Sequence, residues 1–226
     1  MLYLHSNEYL NLKKLMPFEK KENMLAIAGG SDIALILAGL HEIKNLTVCD
    51  IDSDQLKLFH TKYKFATYSP EDFLLYFYIP IKWNPKLKEQ EDIPIQKFLR
   101  DFYDQINEDK YQLYHSFYED YVRAFQLKNN RILNNLKKVK NVDYLIGDIY
   151  SNLSDKYDII YLSNVYDYVK DEERQKVLQS LKNLKNDAII YDSSLLFTDK
   201  SVCELKKYSK KEYFDKIEKT LPKSES

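Results

Sequence analysis

Gly29-Gly30-Ser31-Asp32 comes directly after an apolar run, residues 24–28, and directly before a second one, residues 33–40. A tight turn between a strand and a helix brings backbone N–H groups and a helix N-terminus up to a ligand. Asp50 closes the next apolar run, about 20 residues beyond Gly30, the separation at which nucleotide-binding folds set an acid against a ribose diol. Asp50 is therefore either a ribose ligand or a cap for the following helix, a task that Asp52 or Ser53 would also perform. Asp148, after a third run, stands where an adenine amino group needs an acceptor, or is an ordinary strand-end acid. The charge of Asp32 opposes a pyrophosphate and suits an ammonium. Turn and acid together point to a nucleoside that carries an amino acid, which favours S-adenosylmethionine over a dinucleotide.

The elements that must position these residues are short and apolar. Residues 24–28, 46–50, 142–146, 157–162 and 188–191 are continuous runs rich in Ile, Leu, Val and Tyr, each ending in small or acidic residues. Runs of this kind, separated by helical stretches, mark parallel strands buried on both faces. The expected fold is α/β, a doubly wound, mostly parallel Rossmann-like sheet, with ligands outside the carboxyl ends of its strands. Residues 33–40 read as a buried helix stopped near Gly39. Residues 68–141 read as a helical insertion forming a lid between the second and third strands. Ser69-Pro70-Glu71-Asp72 caps a short helix through Tyr78, and Pro80, Trp83, Pro85 and Pro94 lie in loop. Tyr111, Tyr114, Tyr118, Tyr121 and Phe125 share one helical face, which favours packing over an aromatic wall for a cation. Residues 200–219 read as a lysine-rich, solvated helix within the tail, 200–226. The whole chain, 1–226, is expected to be one domain.

Composition narrows the class further. In 226 residues Lys+Arg is 34 and Asp+Glu is 35, a net charge of −1, which argues against a nucleic-acid binder. No run approaches the roughly 20 apolar residues of a membrane span, and no signal-like leader is read at the N-terminus. The acidic residues of the tail argue against membrane contact. Cys49 and Cys203 match no zinc spacing, and His5, His41, His60 and His115 form no ligand cluster, so no metal is expected. A reduced, cytoplasmic setting is the expectation. With 4 glycines in the chain, those at the first turn stand out. The 20 tyrosines are what an AT-rich genome would supply.

Ile27-Ala28-Gly29-Gly30-Ser31-Asp32-Ile33-Ala34-Leu35 resembles the nucleotide turn of the S-adenosylmethionine:diacylglycerol 3-amino-3-carboxypropyltransferases, the betaine-lipid synthase family. Val48-Cys49-Asp50-Ile51-Asp52-Ser53-Asp54-Gln55-Leu56, continuing to Lys62, is similar to that family's acid-plus-glutamine segment, and Ser69-Pro70-Glu71-Asp72-Phe73-Leu74 to its next helix start. Tyr161-Leu162-Ser163-Asn164-Val165-Tyr166-Asp167-Tyr168 resembles its fourth-strand motif. The likeness runs in order over residues 24–197. Ser31 departs from the family's Gly-Gly-Asp.

The resemblance implies S-adenosylmethionine as donor substrate, held by Gly29, Gly30, Ser31, Asp32, Asp50, Ile51, Gln55, Asp148, Ile149, Ser163 and Asn164. It implies transfer of the 3-amino-3-carboxypropyl group with release of methylthioadenosine. Asn164, Tyr166 and Asp167 are the candidate catalytic residues. Asn164 orients acceptor or donor, and Asp167 either takes the acceptor's proton or caps the helix beginning near Asp171. The expected acceptor is a small amine or hydroxyl compound, or the donor's own amine closing into a four-membered ring. A small-molecule methyltransferase shares the same fold and donor site. An aminopropyltransferase of the spermidine-synthase kind would carry paired acids where Ser163-Asn164 stands. A non-catalytic sensor of the same nucleoside is the rival outside enzymology. The acceptor and the oligomeric state are not legible in the sequence.

Overall fold

The computed structural model describes residues 10–29, 31–70, 73, 77, 121, 123–125, 130–197 and 203–221. Most of the insertion lies outside the described residues, including the short helix expected through Tyr78, the prolines with Trp83, and Tyr111, Tyr114 and Tyr118. Gly30 lies outside them too.

The five apolar runs form β1 (Asn23–Ile27), β2 (Asn45–Asp50), β3 (Asn141–Ile146), β4 (Ile159–Ser163) and β5 (Ile189–Asp192). They pair in parallel in the order β3-β2-β1-β4-β5, and a sixth strand, β6 (Lys206–Ser209), adds antiparallel to β5. Strand periodicity divides the side chains between two cores. Met24, Ala26, Ala28, Leu46, Val48, Ile159, Tyr161, Ile189 and Tyr191 enter one. Leu25, Cys49, Ile160, Leu162 and Ile190 enter the other. Helices α2 (Asp32–Leu40) and α3 (Ser53–Tyr68) cover the first face together with the helical residues 130–136. Helices α4 (Asp171–Leu181) and α5 (Lys210–Glu218) cover the second. A one-turn helix, α1 (Leu12–Leu15), precedes β1. The architecture is therefore the doubly wound, mostly parallel α/β sheet expected, and strand order reverses between β1 and β4.

The tail departs from expectation. Residues 206–209 form an edge strand instead of the middle of a helix, and the helix begins only at Lys210. Lysine-rich edge strands are common because exposed charge discourages sheet-to-sheet association. Ser209 and Glu212 form a reciprocal capping box that fixes the start of α5. The helix is not wholly solvated, since Tyr213 and Ile217 are buried against the second core.

Gly39 also has a different role from a helix stop. Helix α2 runs past it to Leu40 and closes with Glu42 in the left-handed region (φ 54°) and the Ile43 N–H on the Ala38 carbonyl. Gly39 instead admits the helical residues 130–136. A Cβ there would lie 2.6 Å from Ile132 Cγ2 and 2.7 Å from the Ile132 carbonyl oxygen. The buried Asn135 amide donates to the Gly39 carbonyl at 2.9 Å.

Polar groups lock the amino ends of the strands. Asn141 donates to Asn45 and Asn45 to Asn23, each at 2.8 Å, forming an amide ladder across β3, β2 and β1. Asp158 accepts the Glu22 and Asn23 N–H groups and the Lys185 ammonium. The His41 ring bridges Glu19 and Tyr191. The Glu19 carbonyl can only accept, so His41 Nδ1 carries the proton and Nε2 accepts from the Tyr191 hydroxyl. Burial lowers the His41 pKa to about 4, which keeps that tautomer neutral.

Gly39→Ala gains helix propensity but drives a methyl into backbone, which cannot give way as a side-chain end can. The expected result is a net loss of about 1–3 kcal/mol, read as a lowered urea midpoint with unchanged slope. An equal or higher midpoint would show that the two helices separate at little cost.

Candidate functional site

The carboxyl ends of β1, β2, β4 and β5 meet around the point where strand order reverses, the position at which such sheets bind ligands. On the β1 side the chain leaves the sheet at Ala28, and the Ser31 N–H turns back to the Gly29 carbonyl at 2.6 Å. Ser31 then takes φ 76°, a left-handed conformation costly for a residue with a Cβ. Its hydroxyl is buried, does not cap α2, and has no hydrogen-bond partner among the described residues.

Asp32, the first residue of α2, is fully buried. Its carboxylate lies 2.8 Å from the ammonium of Lys62, which is also fully buried. The expectation that Asp32 offers an uncompensated charge to a ligand's ammonium is thereby corrected, since that charge is already met inside the protein. Reading the sequence takes Lys62 only as the end of the segment that begins at Val48 and gives it no role. It sits about two and a half turns beyond the aspartate-rich start of α3 and looks there like another solvated lysine. Its only sequence signal is the spacing Gln55, Phe59, Lys62, which places it on the buried face of the helix. Burial pushes its pKa down, and Asp32 opposes that shift.

Asp50 ends β2 with 7% of its surface exposed. One oxygen accepts the Asp52 N–H at 3.0 Å, and the Gly29 and Ile51 N–H groups also bear on the carboxylate. Burial raises its pKa and these donors oppose the rise. The helix cap is Asp52, which accepts the Asp54 N–H. Next to Asp50 in the chain, Ile51 is 78% exposed, and Ile146, which pairs with Asp50 in the β2–β3 register, is 73% exposed. Gln55, one turn into α3, is buried.

The other strand-end acids hold loops. Asp148 accepts the Tyr150 and Ser151 N–H groups and the Ser151 hydroxyl. Ile149 turns away into the second core. Asp192 is buried and accepts the Ser194 N–H at 2.7 Å and the Tyr213 hydroxyl at 2.8 Å. Asp50, Asp52, Asp148 and Asp192 all accept from the residue two positions on, the local bond that makes aspartate a turn former.

On the β4 side the sheet pairing is irregular between Tyr161 and Ser163, and Ser163 takes φ 55°. The half-buried Asn164 follows, 3.4 Å from the Ser163 hydroxyl. Asp167 accepts the Leu195 and Leu196 N–H groups at 2.9 and 3.2 Å, so it tethers the 3-10 turn Leu195–Phe197. It does not cap α4, whose N-cap is Lys170. Tyr166 is not brought to the cleft. It is fully buried, stacks on Phe197 and shares a hydrogen bond with Thr220 at 2.7 Å. Tyr166 stands three residues past the last residue of β4, inside the 3-10 turn Val165–Tyr168, so strand alternation gives no signal of its burial.

No family model matches the sequence, and no curated protein matches it. Among solved structures the chain is similar to the rRNA methyltransferase AviRa from Streptomyces viridochromogenes, with 14% identity, a TM-score of 0.37, and coverage of 80% of this chain and 68% of that one. At that distance the fold assignment rests on strand order alone. No helix among the described residues is long and apolar enough to cross a membrane.

Burial pushes the Asp192 pKa up to about 7, against an unfolded value near 3.8. The folded state then binds the extra proton between those values, so this group's stabilisation is present at low pH and is lost as pH rises through 7. Asp192→Asn keeps an acceptor for Ser194 and removes the titration. Wild type should lose about 2–3 kcal/mol relative to Asp192→Asn between pH 5 and pH 8 in paired urea titrations. Taking the difference cancels His41, whose slope has the opposite sign. Parallel pH profiles would show that Asp192 is ionised throughout.

Proposed function

We propose that the chain binds S-adenosylmethionine at the carboxyl ends of β1, β2 and β4 and transfers a group from its sulfonium. The observation that carries the reading is Asp50. A carboxylate at the strand end, tied to the glycine turn and with 7% of its residue's surface exposed, suits a ribose diol, and the exposed Ile51 and Ile146 beside it suit the flat apolar face of a purine. The buried residues behind this strand end, Gln55 and Ile149, would shape the pocket instead of touching the base at its rim. Ser163 and Asn164 lie across the point of strand reversal, where donor and acceptor would meet.

The transferred group is, on this reading, 3-amino-3-carboxypropyl, and the support for it is the sequence resemblance of the turn and of Ser163-Asn164. A lone pair on an amine or hydroxyl acceptor attacks Cγ of the methionine moiety. The Cγ–S bond breaks with its electrons going to sulfur, methylthioadenosine leaves as a neutral thioether, and the acceptor loses its proton. The sulfonium activates all three carbons attached to it, so placement of the acceptor decides which is attacked. Asn164 would orient the acceptor. Asp167, whose carboxylate is engaged by two backbone donors, would shape the acceptor side through the 195–197 turn and is not assigned as the base.

Incubating the purified protein with S-adenosylmethionine and a cell extract, followed by mass spectrometry of the nucleoside product, separates the readings. Methylthioadenosine is the expected product. S-adenosylhomocysteine would identify a methyltransferase, and tight binding without either product would identify a sensor. Asp50→Asn keeps the bond to Asp52 but removes the charge from the ribose contact. It should weaken donor binding about 10- to 100-fold by calorimetry, the worth of a charge-assisted hydrogen bond, and unchanged affinity would take Asp50 out of the site.

A further inference from the structure

The buried pair of Asp32 and Lys62 lies directly behind the turn that the donor reading uses. Lys62 comes from the middle of α3 and Asp32 from the first turn of α2, so their contact ties the two helices on this face of the sheet. Both side chains have no exposed surface, and the Lys62 ammonium also lies 5.6 Å from the centre of the Phe77 ring. Ser31 immediately precedes Asp32 and is held at φ 76° with its hydroxyl uncapped. A residue with a Cβ stays in that conformation only when its surroundings over-determine it. Asp50 restrains the turn from the β2 side through Gly29, and Asp32 is where restraint from the helix side must enter.

We propose that Lys62 is a positioning residue for the donor site: by binding Asp32 it clamps the start of α2 and so holds the left-handed Ser31 turn in the shape that receives the ligand. This rests on the reading of the turn as a donor site. It also differs in sign from the sequence expectation. An Asp32 that met the ligand's ammonium directly would bind better once Lys62 no longer competed for it, whereas an Asp32 that acts as the anchor of a clamp would leave a looser turn.

The test uses Lys62→Met and the double variant Asp32→Leu with Lys62→Met, each assayed for S-adenosylmethionine affinity by calorimetry and for thermal stability. Lys62→Met strands a buried carboxylate and should melt well below wild type. The double variant replaces a buried ion pair with apolar side chains and should recover most of that stability. Affinity should fall about tenfold or more in both, including the variant whose stability recovers. Wild-type affinity in the double variant, or tighter binding in Lys62→Met, would overturn the clamp. If Lys62→Met does not fold, Lys62→Gln, which keeps Asp32 and can still donate to it, takes its place: weaker binding supports the clamp, and wild-type or tighter binding overturns it. Absence of binding by the wild-type protein would instead overturn the donor-site reading, and the clamp with it.

Discussion

Burial of the parallel sheet on both faces constrains everything else in this protein. Side chains of β1, β4 and β5 alternate between two apolar cores, so a polar group has no place along those strands and must collect at their ends. Each end also carries backbone that leaves the ladder and needs new partners, because an unpaired buried N–H costs as much as a lost hydrogen bond. The two ends answer the same demand differently. At the amino ends an amide ladder and Asp158 join neighbouring strands to each other. At the carboxyl ends aspartates fold the departing chain back onto itself through bonds to the residue two positions on.

That division explains how much of the protein could be read from its sequence. Strand positions were legible because continuous Ile, Leu and Tyr runs leave little choice of face. The edge strand β6 was not, because residues 206–209 carry two lysines and only Tyr208 is buried, a pattern that matches a helix surface equally well. The strand-end acids were legible as a set, but their partners were not. Aspartate at a strand end is chemically suited both to a ligand and to a turn, and the backbone conformation that selects between them is absent from a list of residue types. Asp148, Asp167 and Asp192 each hold loop N–H groups. Asp50 holds such groups as well, yet has the exposed Ile51 and Ile146 beside it.

Charge showed the limits of local reading most clearly. Asp32 in a glycine turn invites a cationic ligand when only its neighbours in sequence are considered. Its partner is thirty positions away, on a helix face whose burial depends on how α2 and α3 sit on the sheet. A buried ion pair contributes little net stability, because desolvating both charges offsets most of their attraction. What such a pair supplies is geometry: two charges that cannot separate without leaving one of them buried and unpaired hold their helices in a single arrangement.

The same logic bears on the left-handed serines. Ser31, in the turn after β1, and Ser163, the last residue of β4, follow the two strands between which strand order reverses, and both adopt backbone angles that glycine would take without strain. In each case the neighbours supply the restraint: the Asp32–Lys62 pair and the Gly29 carbonyl for Ser31, and the Ser193 N–H on the Ser163 carbonyl for the other. A glycine at either position would relieve the strain and widen the range of shapes the turn can take. Serine keeps the range narrow at a cost of about 1–3 kcal/mol per residue, which the surrounding packing must offset. Rigid turns on both sides of the cleft are what a reaction that selects one of three carbons on a single sulfur would require, since there the geometry of approach, and not the chemistry of the leaving group, decides the product.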